Sequence, residues 1–149
     1  MKPVNNIIFI DDDIMSNLIH EKIAQTISPQ MQISSYLDSV VALSYLKQIA
    51  KTNLEKFPDI IFLDLNMPEM DGWEFLEELN RLKAFSLKNC KVYMVTSSID
   101  HGDIEKAKSH KMVHDFISKP LTNDKLYTLI SPRNNTTTKS MIGLKRPAN

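Results

Sequence analysis

Short apolar runs recur along the chain, each followed by polar residues and then by a stretch with helical spacing. They are Ile7-Ile8-Phe9-Ile10, Ile60-Ile61-Phe62-Leu63, Val92-Tyr93-Met94-Val95 and Phe116-Ile117-Ser118. Runs this short, rich in Ile, Val and Phe, predict strands buried on both faces. Met31 to Leu37 alternates enough to add a further strand. Between the strands, Ile14, Leu18, Ile19, Ile23 and Ile27 follow helical spacing until Ser28-Pro29 stops them. Asp38 can cap a second helix through Val40, Val41, Leu43, Leu46 and Ile49. Trp73, Phe75, Leu76, Leu79 and Leu82 predict a third helix, and Asp103 to His110 a short charged fourth. Thr122 or Asn123 can cap the last, which runs through Leu126, Leu129 and Ile130 and stops at Pro132. Strand-then-helix repeats of this kind predict an α/β fold: one parallel sheet with helices on both faces.

The residues that end the runs carry the chemistry. They are Asp11-Asp12-Asp13, Asp64, Thr96-Ser97-Ser98 and Lys119-Pro120. In an open parallel sheet, ligands bind beyond the carboxyl ends of the strands, so these groups are expected to converge on one edge. Carboxylates about 4 Å apart repel by roughly 4 kcal/mol at a typical effective dielectric, and something must offset that. An all-oxygen cluster of this sort suits a hard divalent cation such as Mg²⁺, with Mn²⁺ as an alternative. No His or Cys interrupts it, which argues against zinc. A hydroxyl and an ammonium beside an aspartate suit the oxygens of a phosphoryl group attached to it. Asp64 is then a nucleophile that becomes an aspartyl-phosphate.

Composition adds bounds. A chain of 149 residues is one ordinary domain. Its 18 basic and 18 acidic residues balance, which gives no signal for nucleic acid or an anionic membrane as partner. From residue 131 onward, however, Arg133, Lys139, Lys145 and Arg146 stand without any Asp or Glu, so 131–149 reads as a basic, flexible tail behind a domain at 4–130. Cys90 is the single cysteine, read as a packed thiol in a reducing, cytoplasmic setting. The first apolar run is cut off by three aspartates, which no secretory or membrane-spanning segment tolerates. His20, His101, His110 and His114 show no converging metal spacing and are read as solvated or locally hydrogen-bonded, and the methionines as gap fillers.

Ile10-Asp11-Asp12, the ten residues from Leu63 to Gly72, Val95-Thr96-Ser97 and Ser118-Lys119-Pro120 closely resemble the receiver domain of two-component response regulators, over about Val4 to Ile130. The resemblance implies a flavodoxin-like sheet of five strands in the order 2-1-3-4-5. It makes Asp64 the phosphoacceptor, Asp12 a direct metal ligand, Asp11 a ligand through water, and the Asn66 carbonyl a further ligand. Asp13 is left to cap the helix. Lys119 is implied to pair with the phosphoryl group, Thr96 to move toward it, and Phe116 to change rotamer in response. Such a domain is not a conventional enzyme; it catalyses its own Mg²⁺-dependent phosphorylation and dephosphorylation. The implied partners are a histidine kinase or histidine phosphotransfer protein and an unknown downstream protein. With about 19 residues after the last helix, no DNA-binding or enzymatic output domain is expected. Two departures fall on loops: the long segment before Pro58, and His110 to His114 in place of the usual small-residue turn.

Three other readings compete. A haloacid-dehalogenase-like phosphatase or phosphotransferase also uses an aspartate nucleophile, and Asp11-x-Asp13 imitates its first motif, but Met15 replaces the expected Thr or Val and only Asp124 follows Lys119. A nucleotide or flavin binder would need a phosphate-cradling loop, yet none of the three glycines directly follows the first strand. A receiver-shaped scaffold that is never phosphorylated would not need the complete acceptor set.

Overall fold

The computed structural model describes residues 3–97 and 100–131. Five parallel strands, β1 (Asn6–Ile10), β2 (Gln32–Tyr36), β3 (Ile60–Asp64), β4 (Lys91–Thr96) and β5 (Val113–Ser118), form one sheet in the order β2-β1-β3-β4-β5, as expected. Every residue of β3 is buried, which is why that run carries no alternation. Strand β1 pairs with β2 from Asn6↔Gln32 and with β3 from Ile7↔Ile60.

The helices are α1 (Ile14–Ile27), α2 (Ser39–Thr52), α3 (Gly72–Asn80), α4 (Lys83–Leu87), α5 (His101–Ser109) and α6 (Asn123–Ile130), with a 3₁₀ turn at Leu54–Lys56. Their starts follow the capping chemistry. Asp13, Asp38, Asp100 and Thr122 each accept a backbone N–H of the following turn, and Asp71 with Glu74 forms a reciprocal capping box. Between the last two candidates for a cap, Thr122 takes the role.

One expected helix is two. The apolar spacing from Trp73 to Leu82 predicts a single helix, but α3 ends at Asn80 and the chain restarts at Lys83 as α4. Leu82 sits in the corner between them, and Asn89 at φ 55° makes the left-handed turn that enters β4. The fourth expected helix begins at His101 rather than Asp103, because Asp100 caps it.

The sheet separates two apolar clusters. One, including Ile8, Ile10, Leu63, Phe75, Val92 and Met94, lies with α2 and α3. The other, including Ile7, Phe9, Ile60, Phe62, Val95 and Leu126, lies with α1 and α6. On α1 the spacing is misleading: Ile14, Met15, Leu18 and Ile19 are at least half exposed, while Asn17, His20 and Ala24 are buried. The buried stripe is polar at its top because it abuts strand ends whose carbonyls need donors. Past Ser131 the basic tail lies outside the described residues, as does Ser98.

Candidate functional site

Asp64 closes β3 and Asp11 prolongs β1, its N–H donating to the Tyr36 carbonyl at 3.1 Å. Both side chains are buried, at 6 % exposure each, whereas Asp12 is exposed. The three neighbouring aspartates therefore do different things. Asp13 accepts the Met15 N–H at 3.0 Å and caps α1, and its own N–H donates to Asp11 Oδ1 at 2.9 Å. Asp11, Asp12 and Asp64 each bring a carboxylate oxygen to within 4.8 Å of the others.

Lys119 enters this cluster from the end of β5. Its Nζ lies 2.8 Å from Asp11 Oδ2 and 3.6 Å from Asp64 Oδ2, so the ammonium leans on Asp11 and reaches Asp64 more loosely. Its N–H donates to the Thr96 carbonyl at 2.9 Å, which ties the ends of β4 and β5, and the Lys119-Pro120 peptide is cis. Burial pulls the Lys119 pKa down, but the hydrogen bond to Asp11 and the charges of Asp64 and Asp11 outweigh it, so the pKa rises. The Asp64 pKa rises too, which for an acid disfavours the charged form. Burial and the charge of Asp11 push its pKa up to about 6, against the pull of Lys119 and the Asn66 backbone N–H.

Three carboxylates thus face one ammonium. That surplus of negative charge, in an all-oxygen setting, fits a hard cation in composition and spacing. Of the expected ligands, Asp11, Asp12 and Asp64 come together; Asn66 meets Asp64 through its N–H.

The loop after β3 is shaped to keep Asp64 in place. Gly72 donates its N–H to the Leu65 carbonyl at 2.8 Å, and a Cβ there would lie 3.0 Å from both the Asp64 carbonyl and Leu65 Cα. Such an approach admits only glycine without displacement. Glu69 turns the same loop at φ 68°.

Thr96 ends β4 fully buried. In the β4–β5 register Met94 faces Phe116 and Thr96 faces Ser118, so Thr96 and Phe116 share a sheet face two positions apart. Phe116 is half-buried and packs on the first apolar cluster.

Two residues near the site escaped the sequence reading. Asn17 was hidden in an apolar-looking helix, although a polar residue on the stripe six positions after Asp11 is a usable signal. His20, expected to be solvated or locally bonded, is instead buried against Phe9, with ring centroids 5.4 Å apart. His110 does bond locally, accepting the Met112 N–H at 3.2 Å. Of the methionines read as gap fillers, Met67 is buried but Met15 is 58 % exposed.

Residues 7–131 match the response regulator receiver domain family, and the chain belongs to it. It is 30 % identical over 130 residues to the two-component response regulator ARR22 of Arabidopsis thaliana, covering 87 % of this chain and 84 % of that protein. It is 29 % identical to the hybrid signal transduction histidine kinase L of Dictyostelium discoideum over 87 % of this chain, which spans only 7 % of that protein. Among solved structures, a two component response regulator from Cytophaga hutchinsonii superposes with TM-score 0.73 at 26 % identity, covering 87 % of this chain and 98 % of the other. One from Legionella pneumophila gives 0.70 at 28 % identity, covering 84 % and 94 %. No helix among the described residues is long and apolar enough to cross a membrane.

Proposed function

We propose that this receiver takes a phosphoryl group from a phosphohistidine onto Asp64 and signals by phosphorylation-dependent protein binding. The observation that carries this is the meeting of Asp11, Asp12 and Asp64 within 4.8 Å with Lys119 bridging Asp11 and Asp64. A carboxylate oxygen of Asp64 attacks phosphorus, the bond from phosphorus to the donor imidazole nitrogen breaks, and that nitrogen leaves with its electron pair. Lys119, already 3.6 Å from Asp64, shifts from Asp11 toward the new phosphoryl oxygens. Asp12, Asp64 and the Asn66 carbonyl would hold Mg²⁺ or Mn²⁺ directly, and Asp11 through water. Bound there, the cation neutralises charge on the transferring group.

Thr96 and Phe116, on one sheet face, form the responding pair. Phosphorylation adds roughly −1.5 to −2 charge, draws the Thr96 hydroxyl inward and biases Phe116 toward a buried rotamer, altering the surface of α5, β5 and α6. A full reversal from 1:99 to 99:1 needs about 5.5 kcal/mol, more than one hydroxyl contact supplies, so the downstream protein completes the shift. The donor is a histidine kinase or a histidine phosphotransfer protein. Ile14, Met15 and Leu18, each more than half exposed at the start of α1, offer it an apolar seat beside the cluster.

The test is direct. A small-molecule phosphodonor with Mg²⁺ should add the mass of one phosphoryl group to the intact protein, and Asp64→Ala should show none. Equal modification of the variant would remove Asp64 as acceptor.

A further inference from the structure

Asn17 lies 3 % exposed under the acidic cluster, and its Nδ2 donates to the carbonyls of Asp11 at 3.0 Å and Tyr36 at 3.1 Å. Two carbonyl acceptors demand the NH₂ end of the amide, so its orientation is settled and both protons are used. The other amide atom, Oδ1, is buried and has no partner. An acceptor left in that state keeps the full cost of losing its water, so a donor is wanted.

Asn17 also lines a cavity of about 10 Å³ whose walls include Asp11, His20, Phe62 and Asp64. That is about the space of a single water, which needs two to four polar partners when buried. His20, one turn along α1 and 8 % exposed, faces the same space. Burial lowers its pKa in spite of the charge of Asp11, with Lys119 lowering it further and Asp13 opposing, so at neutral pH the imidazole keeps one N–H and one bare nitrogen.

We propose that this cavity is a hydration site: one water donates to Asn17 Oδ1 and to a carboxylate of the Asp11 and Asp64 pair, accepts from the His20 imidazole, and so lets α1 hold the acidic cluster in its metal-binding geometry. The chemistry of the lining favours it. An apolar cavity of this size stays dry, but Asn17 with its orphan acceptor, His20, Asp11 and Asp64 stand among the apolar residues that line this one. The same Asn17 amide that anchors the water also clamps the Asp11 main chain, so both routes lead into the acidic cluster. Asn17 and His20 are positioning residues here; neither touches the phosphoryl group. The link to the metal rests on the reading of the cluster as a cation site, whereas the water itself does not.

Two measurements decide. A crystal structure of the metal-free protein at about 1.2 Å or better should show an ordered water within hydrogen-bond distance of Asn17 Oδ1 and His20. A dry cavity, or a His20 nitrogen bonded straight to Oδ1, overturns the site. Isothermal titration with Mg²⁺ then compares the parent with Asn17→Leu and with His20→Phe, which keeps a ring against Phe9. Each should lose affinity by about tenfold, the lower end of what outer-sphere partners of a metal contribute. A variant that lowers the melting temperature but binds Mg²⁺ like the parent shows a structural role only and overturns the coupling. If Asn17→Leu does not fold, His20→Phe carries the titration. If the parent binds no Mg²⁺, the reading of the cluster falls, and the density in the cavity still decides for or against the water.

Discussion

The two faces of the sheet carry different groups to its edge. Strand side chains alternate, so Ile7 and Phe9 lead to Asp11, Ile60 and Phe62 to Asp64, and Ile117 to Lys119, all on the face covered by α1 and α6. Val92 and Met94 lead to Thr96 on the other face, where Phe116 packs. The charged groups thus share one side and the proposed responding pair the other. They can meet only past the strand ends, where alternation no longer separates them. The proposed chemistry and the proposed response should therefore be separable by substitution, although Asp64 and Thr96 end neighbouring strands.

The largest expected effect breaks that division if it fails. Asp12→Ala should abolish both Mg²⁺ binding and phosphoryl uptake, whereas Thr96→Ala should bind Mg²⁺ unchanged and still accept phosphate at Asp64. In NMR spectra Thr96→Ala should lose the phosphorylation-dependent shifts around Phe116. Shifts that respond equally in variant and parent would mean that Phe116 is driven by something other than Thr96.

A pH series sharpens the charged side. Asp64 in the metal-free fold has its pKa raised to about 6 from the ordinary carboxylate value of 3.8. The folded form therefore binds this proton more tightly than the unfolded one. Its contribution favours the fold below about pH 4 and is lost as pH rises through about 6. Asp64→Asn, which stays neutral, should then be more stable than the metal-free parent above pH 6, with the gap closing toward pH 4 in thermal melts. Over the same window the parent's Mg²⁺ affinity should rise with pH by up to about tenfold per unit, because cation and proton compete. A gap that widens on acidification would reverse the assigned sign.

Gly72→Ala probes the loop between the faces. Its Cβ would press on the Asp64 carbonyl and Leu65 Cα at 3.0 Å, and overpacking of this kind costs about 1–3 kcal/mol, measurable by urea unfolding. The smallest effect is that of Asp13→Ala. Loss of the α1 cap should cost about 1 kcal/mol while Mg²⁺ affinity stays near that of the parent, which would separate the capping aspartate from its two neighbours.

Much of this was legible in the residues. Four apolar runs located four strands because buried parallel strands carry continuous hydrophobicity, and the polar residue after each run landed at one edge because parallel strands end together. What resisted reading depends on packing that local spacing does not encode. The break at Asn80 leaves the apolar rhythm from Trp73 to Leu82 intact, so spacing gives no sign of it. The α1 stripe was read from its isoleucines, yet Ile14 and Ile19 face outward while Asn17 serves carbonyls on two different strands. That demand arises only once β1 and β2 are side by side.

The strand order has a consequence for the chain as it is made. Lys119 follows the outermost and last-synthesised strand, and Asp64 lies in the middle one, which joins β1 only after an interval of some fifty residues. A nascent or prematurely terminated chain can hold Asp64 but not the ammonium beside it. Truncation before β5 would leave an exposed edge on β4 and Asp64 without Lys119, a product prone to edge-to-edge aggregation.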